Sequence, residues 1–265
     1  MESLLTLSIG NYHAVELTLR LTVALTGMTA LLLLLSTTCA PSRFRLPLFL
    51  SGVALIGATW FELGTWLAWK EAFELAGTSY CVTGHLLAGE DRIIAWSLGV
   101  PAILFCFALV QIPWGQEGSV LLKRLAAVLL GLAIFAPFSS TIGLLLLGYA
   151  LYLLCFGTPQ ADLTIKVASI SILLGMVITV LGSFHLLPLL TAGKSADAVL
   201  VHGEIIRSIC DILSLVIPSI ALLTKVLTLG SSVVLAPSES LSQQTKKTKS
   251  RTSDLPDPQT GLFGN

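Results

Sequence analysis

Long apolar runs separated by short polar joints set the pattern of this chain. A run of roughly 18 or more apolar residues can cross a bilayer as a helix. Spans of that kind are expected at about Ala14–Thr38, Leu46–Trp69, Arg92–Ile112, Leu121–Phe138, Thr141–Phe156, Leu163–Leu190 and Val201–Leu229. Arg43 and Arg45 mark the first joint. Lys70–Asp91, with Gly77, Thr78, Gly84 and Gly89, reads as a long loop, and Pro113-Trp114-Gly115 closes the third run. Pro137-Phe138-Ser139-Ser140 divides the fourth run from the fifth. The expected fold is all-α, a seven-transmembrane-helix bundle over residues 1–230.

Composition agrees with that pattern. Of 265 residues, 54% are hydrophobic and 11% charged, and mean hydropathy is +0.88. A soluble domain carries roughly a quarter charged residues, so too little polar surface remains to face water. The implied partner is the lipid bilayer and the implied location a cell membrane, plasma or inner, crossed several times. Zero net charge gives no electrostatic case for nucleic acid. Met1–Gly10 lacks a basic leader region, so the first run reads as a span and not as a cleaved signal. The five cysteines show neither metal-ligand nor disulfide spacing, and no metal is expected.

Lys and Arg placement gives an orientation. Arg43, Arg45, Lys123, Arg124, Lys166, Lys225 and the tail cluster Lys246, Lys247, Lys249 and Arg251 share one side. Lys70 and Lys194, with several acids, occupy the other. The first side is expected to be cytoplasmic, which puts the N-terminus outside and the C-terminus inside. Residues 231–265, rich in Ser, Thr, Gln, Pro and Lys, are expected to form a disordered cytoplasmic tail.

Ionisable residues inside spans are costly and usually face the bundle interior. Glu62, Arg92, His185, Arg207 and Asp211 all fall in the outer half. Glu204, Arg207 and Asp211 lie at i, i+3 and i+7, on one stripe of the seventh helix. Arg92, Trp96 and Gly99 make a similar stripe on the third. A shared network is expected, with Arg207 as the i,i+4 partner of Asp211 and either Arg92 or Arg207 neutralising Glu62. Such a network can be a static packing device or an outer polar cavity for an ion, proton or ligand.

The order of these residues resembles that of microbial rhodopsins of the bacteriorhodopsin type. The third span reads Arg92-Ile-Ile-Ala95-Trp96-Ser-Leu-Gly99-Val-Pro101, close to that family's Arg, acid–Trp and Pro spacing. Gly182-Ser183-Phe184-His185-Leu-Leu-Pro188 is similar to the sixth-helix segment, and Glu204 and Asp211 to the outer glutamate and retained aspartate of the seventh. Gly57-Ala-Thr-Trp60-Phe61-Glu62 on the second helix is also similar. The resemblance spans residues 10–230.

The departures carry as much information. The resemblance implies a retinal-bearing lysine one turn after Asp211, where this chain has Leu215. Lys225 lies fourteen residues past Asp211, about 21 Å along the axis, too far to substitute. A Schiff base needs a primary amine. The resemblance further implies that Ala95 replaces the proton acceptor and Cys106 the cytoplasmic donor. The sixth helix aligns in two ways. Anchored on Ser183, Gly182 and Leu189 sit where large rings pack on retinal. Anchored on Pro188, Phe184 keeps one ring and Thr191 loses another. The ligand pocket implied is Trp96, Gly99, Pro101, Gly182, His185, Leu189, Asp211 and Leu215.

The first expectation is a rhodopsin-like membrane protein that has lost covalent retinal and its pump residues. It would bind an apolar ligand, retinal or carotenoid, non-covalently, or serve as a sensor or accessory partner in a homo- or hetero-oligomer. The alternative is an ion or proton transporter, or a light-driven rhodopsin, using the outer charged network. No nucleophile, paired-His metal or phosphate-loop motif is present, so no catalytic residue and no enzyme is expected.

Overall fold

The computed structural model of the chain describes residues 5–85, 89–112, 116–136, 138–157, 163–181 and 196–235. The elements in order are β1 (Thr6–Ser8), α1 (Ile9–Cys39), α2 (Ser42–Ala72), β2 (Phe73–Ala76), β3 (Ser79–Val82), α3 (Gly89–Gln111), α4 (Gln116–Phe135), α5 (Ser140–Phe156) and α6 (Leu163–Leu181). A seventh helical rod follows in three parts: α7 (Ala196–Asp211), a π-helical stretch (Ile212–Val216) and α8 (Ile217–Leu235). The Ile217 N–H reaches the Ile212 carbonyl, an i→i+5 bond that defines the wide turn.

Local chemistry explains the boundaries. Ser8 caps α1, its Oγ accepting from the Asn11 N–H at 3.2 Å. Ala40 precedes Pro41 and is extended (φ −75°, ψ 148°), which ends α1. Arg45 Nε donates to the Ala40 carbonyl at 3.0 Å and ties the joint to α2. Ser139 caps α5, so the expected break at 137–140 is present, with α4 ending at Phe135. Buried threonines on α1 satisfy their hydroxyls within the helix: Thr22 donates to the Thr18 carbonyl and Thr26 to that of Thr22. That is how hydroxyls are accommodated where no water reaches.

Sequential helices pack on one another from α1 to α6. The seventh rod contacts α6 on one side and α1 on the other, and its π-helical part also touches α3. Large apolar side chains such as Leu17, Met28, Leu35, Trp60, Leu145 and Ile170 point outward, as lipid-facing residues do. Among the described residues, five helical stretches are long and apolar enough to cross a membrane: Ile9–Cys39, Ser42–Ala72, Arg92–Gln111, Gly118–Phe135 and Ala196–Leu229. The apolar stretches Thr141–Phe156 and Leu163–Thr179 are shorter. By contacts the chain divides into Met1–Val226, which holds this bundle, and Leu227–Asn265, of which 227–235 are helical. The sixth run beyond Leu181 and the tail beyond Leu235 lie outside the described residues. All five cysteines are free thiols.

One part of the sequence reading needs correction. Lys70–Asp91 is not simply a loop. α2 runs on to Ala72, and β2 and β3 form a hairpin that turns at Gly77, whose φ of +65° suits a residue without a Cβ. β1 adds antiparallel to β3, giving the order β1-β3-β2, with Thr6 opposite Cys81 and Ser8 opposite Ser79. Aromatic side chains fasten this small sheet to the bundle. Tyr12 of α1 stacks on Tyr80 of β3 with centroids 3.7 Å apart, and Trp69 meets Phe73 at 4.7 Å.

Candidate functional site

Arg92 enters the bundle near the start of α3 and is the hub of a buried polar cluster. Its Nη1 donates to Glu204 Oε2 at 2.9 Å and its Nη2 to Ser208 Oγ at 3.2 Å. Its Nε lies 3.0 Å from Asp211 Oδ2 and 4.0 Å from Glu62 Oε2. That N–H is aligned with neither oxygen, so both contacts are ion pairs without a hydrogen bond. Glu204 is shared by two cations, since its Oε1 accepts from Arg207 Nη1 at 2.7 Å. Trp96 Nε1 donates to Asp211 Oδ1 at 2.7 Å. Glu62 is 0% exposed and Asp211 1%, while the Arg207 side chain is 39% exposed.

The helices place these groups by simple spacing. Glu204, Ser208 and Asp211 recur at i, i+4 and i+7 on α7, and Arg92 and Trp96 at i and i+4 on α3. The two stripes face each other, and Glu62 comes in from α2. The expected gathering of Glu62, Arg92, Glu204, Arg207 and Asp211 is therefore seen, but the pairing differs in detail. Arg207 pairs with Glu204, and Asp211 takes Arg92 instead. Helical side chains lean toward the N-terminus, which carries Arg207 back toward Glu204 and away from Asp211.

Below this cluster the site becomes apolar. Leu215 is fully buried and lies on α3: its Cδ2 sits 2.5 Å from where a Cβ on Gly99 would stand, with Ala58 Cβ of α2 3.8 Å from the same point. The absence of a side chain at Gly99 is thus used by Leu215. Ala95, Pro101 and Cys106 are buried along α3. Ser214 Oγ, which donates to the Cys210 carbonyl, lies 2.6 Å from a Cβ position on Gly175, so α6 and the seventh rod approach closely there. Gly182, His185 and Leu189 lie outside the described residues. Among the described residues no group of three or more His, Cys, Asp or Glu side chains is placed to hold a metal.

Two features escaped the sequence reading. Ser208 is a direct partner of Arg92, and its i+4 position after Glu204 was the available signal. On α1, Glu16 is 8% exposed and pairs with Arg20 at 2.5 Å and His13 at 3.2 Å. Arg20 also lies over the Trp66 ring of α2, 5.2 Å from its centroid. The i,i+4 spacing of Glu16 and Arg20 was the sign of that pair.

No family model and no curated protein matches the chain by sequence. Its fold, however, matches solved microbial rhodopsins. It is similar to xanthorhodopsin, a light-driven ion pump with dual chromophore, at a TM-score of 0.71 and 17% identity over 87% of this chain and 98% of that one. Thermophilic rhodopsin gives 0.73 and 20% identity over 86% and 98%. Exiguobacterium sibiricum rhodopsin gives 0.59 and 16% over 84% and 99%. The chain is a multi-pass membrane protein with the microbial-rhodopsin fold.

Proposed function

We propose that this protein uses the rhodopsin fold without a covalent pigment, as a membrane sensor or as an accessory subunit assembled with its own copies or with another membrane protein. The observation that carries the reading is the packing of Leu215 on Gly99. One turn past Asp211, where the resemblance puts an amine, an alkyl side chain instead fills the space between α3 and the seventh rod. An alkyl group cannot form a Schiff base. Retinal or a carotenoid would be held without a covalent bond, and Leu215 would have to swing off Gly99 to admit it. Ala95 and Cys106, in place of acids, support the loss of pumping.

The test is spectroscopic. All-trans retinal is added to the purified protein in detergent, and the visible spectrum is recorded before and after washing. Either no shifted band or a band removed by washing agrees with the proposal. A red-shifted band that survives washing and shifts with acid restores a pigment.

A second reading, ion or proton transport through the charged cluster, is favoured by one observation. Glu62 is wholly buried, and among the described residues no donor reaches either of its carboxyl oxygens. Charge movement across liposomes carrying the protein, abolished by Glu62→Gln, would establish transport.

A further inference from the structure

We propose that Glu62 and Asp211 share a single proton, which makes the pair a buried proton-binding site between α2 and the seventh rod. The inference rests on the cluster's geometry and is independent of whether retinal binds.

Charge counting comes first. Among the described residues, three carboxyl groups, Glu62, Glu204 and Asp211, face two guanidinium groups, Arg92 and Arg207. A net negative charge in a water-poor bundle is expensive, and one proton brings the cluster to neutrality.

Hydrogen-bond geometry then locates that proton. Arg92 commits Nη1 to Glu204 and Nη2 to Ser208, and its Nε–H is aligned with neither Glu62 nor Asp211. Asp211 has a donor in Trp96 and the nearer approach of Arg92, 3.0 Å against 4.0 Å for Glu62. Among the described residues Glu62 has no donor at either oxygen. The two carboxyl groups converge on one guanidinium nitrogen, Asp211 Oδ2 and Glu62 Oε2 both facing Arg92 Nε, and neither of these oxygens has a hydrogen-bond donor among the described residues. One hydrogen held between two buried carboxyl groups so placed relieves both, because when ionised each can only accept. Asp211, the better-served member, is the anion. Glu62 carries the proton and donates it to Asp211. The charged groups on α1, Glu16 and Arg20, are spent on each other and supply nothing here.

Infrared spectroscopy of the intact, purified chain tests this. At neutral pH the wild type is expected to show the carbonyl stretch of an un-ionised carboxylic acid, shifted in D₂O and shifted again when glutamate carboxyls carry ¹³C. Glu62→Gln should lose the band yet melt close to wild type, because the amide N–H takes over donation to Asp211 and the net charge is unchanged. Asp211→Asn reads the same band a second way. With the acceptor gone, Glu62 becomes the counter-charge of Arg92 and the acid band disappears there too. The proposal is overturned if the wild type shows no acid band, or if the band persists in either variant. A Glu62→Gln protein that melts far from wild type would likewise contradict it, pointing to an ionised Glu62 bridged by water or a cation.

Discussion

Substituting Gly99 by alanine probes the contact on which the functional reading stands. The new Cβ would appear 2.5 Å from Leu215 Cδ2. Carbon atoms pack best at about 3.5–4.0 Å, so the leucine branch has to retreat by roughly 1 Å. Leu215 is 0% exposed, so its branch retreats among other side chains and not into solvent, and Ala58 Cβ lies 3.8 Å from the same point. Overpacking of this kind costs about 1–3 kcal/mol, offset by up to about 1 kcal/mol from the better helix propensity of alanine. Leu215→Ala makes the opposite error and leaves a cavity, worth about 2–5 kcal/mol in soluble cores. The lower end applies here, because an unfolded helix in lipid is also in an apolar medium. In the double variant the methyl at 99 occupies part of the space the leucine vacated. The double substitution should then cost less than the sum of the singles by about 1–3 kcal/mol. Thermal unfolding of the four proteins in one detergent measures the cycle. Additivity to within about 0.5 kcal/mol would show that Leu215 and Gly99 are not in contact and would refute the reasoning.

Other substitutions separate the members of the polar cluster. Arg92→Gln leaves buried carboxylates without their common cation and should destabilise the protein by about 3–5 kcal/mol, read as a large drop in melting temperature or loss of a monodisperse peak. Arg207→Gln should cost under about 1 kcal/mol, since its half-exposed side chain is screened by water; an effect equal to that of Arg92→Gln would contradict the hub assignment. Trp96→Phe keeps the ring but deletes the donor to Asp211, with an expected loss of about 1.5–3 kcal/mol for a bond to a charged group. At the other cluster, Tyr12→Leu and Tyr80→Leu should couple by about 0.5–1.5 kcal/mol in a double-mutant cycle on melting, and strict additivity would remove the stack from the account.

The helical part of this fold was legible because a bilayer demands long apolar stretches, and seven such runs stand out against so few charges. The membership of the charged cluster, though not its pairing, was readable for the same reason: charged side chains are rare inside spans, and their i, i+3, i+4 and i+7 spacing sorts them onto facing stripes. What the residues did not reveal is equally physical. β1, β2 and β3 are three or four residues each, too short for alternation to register, and their pairing depends on α1 and α2 bringing their ends together. The choice of Arg207 between Glu204 and Asp211 turns on side-chain direction, which spacing alone leaves open. The π-helical stretch at Ile212–Val216 has no mark in its apolar sequence. Chemistry at Leu215 was readable, since leucine has no amine, but its seat on Gly99 required the helices in place.

Intact mass after reduction tests the central claim most directly. The purified chain is incubated with all-trans retinal in detergent, treated with borohydride and weighed by mass spectrometry beside an untreated sample. An unchanged mass is the result the proposal predicts, with Leu215 taken as the residue at the retinal-bearing position. A mass raised by one retinyl group, mapped by peptide analysis to a single lysine inside the bundle, would contradict it and return the protein to the covalent pigments.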